Sequence, residues 1–127
     1  MRVFKTKWFS RFARQEDSDD AKLVDAVQNI ENGLVDADYG GGLIKQRIAR
    51  DGEGKSGGYR CIIAFKSETR SIFVFAFPKS EKENLTKIEV REYKKAATIY
   101  LKMTEAQITL AIENKELIEV KYDAKKI

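Results

Sequence analysis

Two apolar runs in the middle of the chain, Tyr59 to Lys66 and Arg70 to Pro78, limit the folds open to it more than any other feature. Both are apolar at odd and even positions alike, so as strands they bury two faces and belong in the middle of a sheet covered on both sides. Ser67 to Thr69 leaves room only for a tight hairpin connection between them. The rest of the chain must supply the covering layers and the outer strands.

The flanks read in those terms. Val3 to Thr6 is a short strand, and Trp8, Phe9, Phe12 and Ala13 recur at helical spacing. Asp17, Ser18, Asp19 and Asp20 offer N-caps for a second helix, whose stripe is Leu23, Val24, Val27 and Ile30 and whose end is Asn32-Gly33. Acidic residues at that N-terminus suit the helix dipole. From Gly40 the period changes to two. Leu43 to Ala49 sets Ile44 and Ile48 against Lys45 and Arg47, a strand with one buried and one cationic face. Asp51 to Gly58 is a half-glycine loop, either mobile or shaped for close approach of backbone to a ligand. Two helices follow, one with the incomplete stripe Ile88, Tyr93, Ala96, Ala97, Tyr100 and Leu101. The other opens on the capping box Thr104 to Gln107 ahead of Ile108, Leu110, Ala111 and Ile112. Leu117 to Tyr122 adds a terminal strand, and Ala124 to Ile127 has the character of a frayed end.

Composition excludes several chemistries. The 127 residues, 43% of them hydrophobic, with one Pro and no linker-like stretch, fit a single domain. With no His and one Cys, Cys61, the chain has no Cys/His zinc site, no Ser-His-Asp triad, no Cys-His dyad and no disulfide framework. No metal and no cofactor is expected. The longest apolar runs fall far short of the roughly 20 residues that span a bilayer. Five basic residues among the first fourteen leave no apolar core for a signal peptide, so the expected compartment is the cytoplasm, with no membrane partner.

The net charge of +4 hides segregation. Residues 1–14 carry +5, residues 15–38 carry −7, residues 41–102 carry +7 and residues 103–127 carry −1. Such blocks fit one surface facing a polyanion and one acidic surface, and they fit ordinary solvated faces equally well.

Three local features bear on chemistry. Asp51-Gly-Glu-Gly-Lys-Ser56 has the ending of a phosphate-binding loop, but Ala49 stands where the first glycine belongs and a strand follows in place of a helix. Phe73, Phe75 and Phe77 alternate like the aromatic platform of an RNA-binding sheet, though so apolar a run is expected in a core. Lys45 and Arg47 project from one strand face, with Arg60 and Lys79 on neighbouring strands or just past one. Converging cations can neutralise a phosphodiester and stabilise its transition state, whereas cations on an open face are merely solvated.

The stretch Gly40-Gly-Gly-Leu-Ile-Lys-Gln-Arg-Ile-Ala-Arg50, then Gly-Glu-Gly-Lys-Ser-Gly-Gly-Tyr-Arg60, then Phe75-Ala-Phe-Pro-Lys-Ser-Glu-Lys-Glu-Asn84 resembles the RelE/HigB toxins of bacterial type II toxin-antitoxin modules, in the branch with a long Gly-rich loop. Phe4, Trp8, Phe9 and the closing Leu117-Ile-Glu-Val120 also fit, so the resemblance covers nearly the whole chain. It implies an α+β domain, with two N-terminal helices packed on a small antiparallel-dominated sheet and helices at the C-terminal end. It also implies entry into the ribosomal A site, cleavage of mRNA and inhibition by a cognate antitoxin, a helix-turn-helix protein. The family's basic site positions fall on Lys45, Arg47, Arg60, Lys79 and Lys82; Lys45, Arg47 and Arg60 are the catalytic candidates, and Arg50, Lys55, Lys79 and Lys82 the candidate substrate-binding cations. The family's base-stacking tyrosine is missing: Leu85 or Thr86 stands there, and the spacing of Tyr93 fits core packing better.

RNA cleaved by its own 2′-hydroxyl needs only a base, cations for the phosphorane and a donor for the leaving oxygen. Among these residues Lys45 is the candidate base, since neighbouring cations disfavour a lysine's protonated form, with Arg47 a phosphate clamp and Arg60 a transition-state stabiliser. Two other readings remain open: a ParE-like inhibitor of DNA gyrase, for which the cations are incidental, and a non-catalytic RNA-binding or regulatory domain.

Overall fold

The computed structural model describes residues 1–50, 54–82 and 84–122, with their side chains except those of Arg50 and residues 54–57. In chain order the elements are β1 (Arg2–Thr6), α1 (Lys7–Gln15), α2 (Asp20–Glu31), β2 (Ala37–Gly40), β3 (Leu43–Arg50), β4 (Gly54–Lys66), β5 (Arg70–Pro78), α3 (Lys87–Lys102), α4 (Glu105–Glu113) and β6 (Leu117–Val120). The strands form one sheet in the order β2-β3-β4-β5-β1-β6, antiparallel except where β1 runs parallel to β5. The expected α+β architecture is therefore present, with the β4–β5 hairpin near the centre.

Each sheet face carries one helical layer. Phe9 and Ala13 of α1 and Leu23, Val24, Val27 and Ile30 of α2 pack on Ile44, Ile48, Cys61, Ile63 and Phe73. On the opposite face Ala97 of α3 and Ile108 and Ala111 of α4 pack on Phe4, Leu43, Ile62, Ile72 and Phe77. The helices begin where hydroxyl or carboxylate caps stand. Thr6, Asp19, Thr86 and Thr104 each accept a backbone N–H of the first turn, and the last two form reciprocal capping boxes. The corner between α3 and α4 is held by buried Arg70, which donates to the carbonyls of Tyr100 at 2.8 Å and Met103 at 2.9 Å and to Glu105 at 3.2 Å.

Four sequence expectations change. Gly54 to Gly58 is strand, paired from Arg50↔Gly54 onward, so the glycine-rich connection is shorter than read; residues 51–53 lie outside the described residues, as do 124–127. At Gly58 a side chain has no room, because a Cβ would stand 1.8 Å from the Ile48 carbonyl oxygen. Phe73 does not share a face with Phe75 and Phe77. The register passes from Ile62↔Phe75 to Ile63↔Phe73, so Val74 is an extra residue that reverses the side-chain parity. Phe73 meets Phe9 on one face while Phe75 meets Phe77 and Tyr93 on the other. The cationic face of β3 is open only in part, since Lys45 is 8% exposed while Arg47 stays exposed. Finally, Leu110 of α4 is 56% exposed and does not join the core.

Candidate active site

Strand parity assembles the cations. Lys45 and Arg47 point to the α3 side of β3, and Arg47 lies directly across from Arg60, which in turn lies across from Phe77. Lys79, two residues past Phe77, continues the same side beyond the end of β5. Together with Asn84 these four cations line a cleft of about 160 Å³. Arginines directly opposite on adjacent strands repel, an arrangement that costs stability and calls for a counter-charge.

Asp36 supplies it. Its carboxylate receives Arg47 Nε at 2.9 Å through Oδ1 and stands 3.6 Å from Lys45 Nζ through Oδ2. Gln46 fixes Asp36 in place: its Oε1 accepts the Asp36 N–H at 3.0 Å and its Nε2 donates to the Leu34 carbonyl at 2.8 Å. Lys45 Nζ also donates to Asn84 Oδ1 at 2.5 Å. Asn84 is positioned by its successors, since Leu85 is buried and Thr86 caps α3. Arg60 has no such companion. It is 4% exposed, and its Nη1 is buried without a hydrogen-bond partner among the described residues. A buried guanidinium at the wall of a cationic cleft, with one donor nitrogen unsatisfied and no carboxylate beside it among those residues, favours an anion in that cleft.

The structure thus brings together Lys45, Arg47, Arg60 and Lys79 of the expected residues. Lys82 is turned elsewhere, pairing with Glu89 at 2.6 Å and lying 5.6 Å above the Phe77 ring. Lys82 holds the Glu89 carboxyl below the usual carboxylate range. The side chains of Arg50 and Lys55 lie outside the described residues. Sequence reasoning missed Asp36 and Asn84. Asn84 closes a segment that had already been singled out, but nothing in its spacing signals contact with Lys45.

Other reactive groups nearby are unsuited to acid-base work. Burial pushes the Cys61 thiol well above its ordinary value, and it pushes the Tyr59 phenol up as well, against a hydrogen bond with Ser18. Burial likewise raises Tyr93, whose ring stacks on Phe75 at 5.3 Å as a packing group. Leu85 and Thr86 are occupied by core packing and helix capping, so neither offers a stacking surface. Among the described residues no group of three or more His, Cys, Asp or Glu converges to hold a metal, and no helix is long and apolar enough to cross a membrane.

Residues 1–120 match a protein-family model, described as the RelE toxin of the RelE / RelB toxin-antitoxin system. No curated protein matches the chain.

Proposed function

The chain belongs to the RelE toxin family, and from that premise we propose that it is a ribosome-dependent endoribonuclease that cuts mRNA in the bacterial cytoplasm. The observation that carries this reading is the convergence of Arg60, buried and without a counter-charge of its own among the described residues, with three further cations on one cleft. A phosphodiester supplies the acceptors that this cleft lacks. The Gly-rich segment before Tyr59 supports placement in the HigB-like branch.

In the proposed step the 2′-oxygen attacks the adjacent phosphorus and the bond to the 5′-oxygen breaks, leaving a 2′,3′-cyclic phosphate and a free 5′-hydroxyl. The 2′-hydroxyl proton passes to Lys45 Nζ as that nitrogen releases one to the Asp36 carboxylate, the pair closing from 3.6 Å to hydrogen-bond distance for the transfer. Lys45 is then the base only in concert with Asp36, a different arrangement from a lysine deprotonated by neighbouring cations. Arg47 clamps a nonbridging oxygen, exchanging Asp36 for phosphate, and Arg60 donates to the phosphorane. Lys79, on the wall of the same cleft, gives the departing 5′-oxygen its proton and so completes the 5′-hydroxyl. With no base-stacking group at positions 85 and 86, alignment of the attacking oxygen falls to the ribosome.

The family implies a cognate antitoxin. We place its docking on the exposed acidic side of α2, where Asp25 shares a hollow with Arg47 at the margin of the cleft, so that a folded helix-turn-helix partner would block ribosome entry by bulk. Of the carboxylates at the start of α2, Asp19 caps the helix and Asp20 pairs with Lys5 at 2.8 Å, whereas Asp25 is exposed on the helix and suits a partner.

The test is expression of the chain alone, with mRNA and DNA topology followed together. Translation should stop, mRNA should be cut, and purified protein should cleave mRNA only when ribosomes are present. Efficient cleavage of naked RNA would refute ribosome dependence, and arrest with intact mRNA and accumulating relaxed DNA would favour the gyrase reading.

A further inference from the structure

Trp8 is 41% exposed, an unusual position for the largest apolar side chain in the molecule. It is also packed against two other rings. Its ring stacks on Phe12 at 5.6 Å and 11°, and Phe75 lies 4.6 Å away on β5, where β1 has ended and the first turn of α1 takes its place. Trp8 and Phe12 give aromatic walls to a hollow of about 250 Å³, and Arg11 and Gln15 give it polar ones. Lys7, Arg11 and Arg14 lie exposed along the same helix and form no ion pair among the described residues.

We propose that this hollow is a nucleobase-stacking subsite for single-stranded RNA, outside the cleft that takes the scissile phosphate; the proposal rests on the RNA-cleaving reading above. A base presents a π-face and a hydrogen-bonding edge, and the hollow offers rings for the first and Arg11 and Gln15 for the second. The cations of α1 complement the phosphates on either side of that base. The rings also lead to the cleft. Phe75 lies 6.2 Å from Phe77, which is the cross-strand partner of Arg60. One strand of RNA can therefore engage both places, and the subsite supplies stacking that positions 85 and 86 do not.

Trp8 is the sole tryptophan, so its emission reports this site directly. The probe is an uncleavable 2′-O-methyl oligoribonucleotide, with inorganic polyphosphate as the base-free control. The oligonucleotide should quench Trp8 saturably and polyphosphate should not. Trp8→Leu should weaken binding of the end-labelled oligonucleotide roughly five- to a hundredfold, while Trp8→Phe keeps most of it. Arg11→Glu, whose fold is not at risk, should weaken it too. Equal quenching by polyphosphate, unchanged emission on binding, or Trp8→Leu and Arg11→Glu proteins that bind RNA as tightly as the parent would each overturn the subsite. Loss of antitoxin binding in Trp8→Leu with RNA binding intact would assign the hollow to a protein partner instead. RNA that quenches Trp8 while mRNA stays whole on ribosomes would sink the nuclease reading and leave the subsite standing. Cleavage with an unchanged KM in Trp8→Leu would do the reverse.

Discussion

Replacing Arg60 with Met should abolish activity and make the protein more stable. The guanidinium is buried, opposite Arg47 on the next strand, and its Nη1 lacks a partner. Leaving a buried donor unsatisfied costs about 1–3 kcal/mol, and exchanging buried charge for an apolar side chain of similar volume is often neutral to stabilising. Met fills the space of the stem while removing both the orphan donor and the cross-strand repulsion. A net gain of about 1–2 kcal/mol is expected, some packing around the guanidinium being lost. For 127 residues the unfolding entropy is roughly 0.27 kcal/mol/K, so the midpoint should rise by roughly 4–7 °C. Cleavage on ribosomes should fall about 10²- to 10³-fold, the usual effect of removing one preorganised transition-state donor. Calorimetry and single-turnover cleavage measure the two halves. A variant that is less stable than the parent by more than about 1 kcal/mol would show that Arg60 holds the sheet together and that its burial is structural.

Lys45→Arg should be as inactive as Lys45→Ala, because arginine keeps the charge but does not shuttle a proton; full toxicity of Lys45→Arg would reduce Lys45 to a phosphate ligand. Asp36→Asn should fold and still bind RNA but slow cleavage by about 10²- to 10⁴-fold, with unchanged single-turnover rates counting against the relay. Asp25→Lys should weaken antitoxin binding in a pull-down titration while Lys79→Ala, in the cleft and outside the Asp25 hollow, does not, and the opposite pattern would mean that the antitoxin covers the cleft. The Arg2 guanidinium hydrogen-bonds the Glu119 carboxyl and holds it below the usual range, with burial opposing. That contribution to stability is complete above about pH 4.3 and fades as pH falls through the depressed value, so acid titration of Glu119→Gln should show a shallower loss of stability than the parent.

The elements were readable because each rests on a local signal. The period-two runs of β3, β4 and β5, the stripe of α2 and the Thr104–Gln107 box depend on neighbours within a few residues. What escaped reading depends on distant partners. The extra residue at Val74 exists only relative to β4, so nothing near Phe73 marks the reversal that separates it from Phe75. The burial of Lys45 comes from the opposite side of the fold, where the segment leading into α3 brings Asn84 onto it. Asp36 lies nine residues before Lys45 across the β2–β3 hairpin, and β2 itself is only four residues long. The candidate cations were visible as a group, but which of them converge was decided by parity and pairing.

The position of β1 bears on when the protein comes into being. It lies between β5 and β6, with Val3 paired to Ser71 on one side and to Val120 on the other. β1 thus completes its ladders only once β6, more than a hundred residues later, has followed it, and contacts this far apart in sequence make for late, slow assembly. The cleft, by contrast, draws on residues between Asp36 and Asn84 alone. Its cations leave the ribosome well before the sheet that aligns them can close, and the finished site waits for β6.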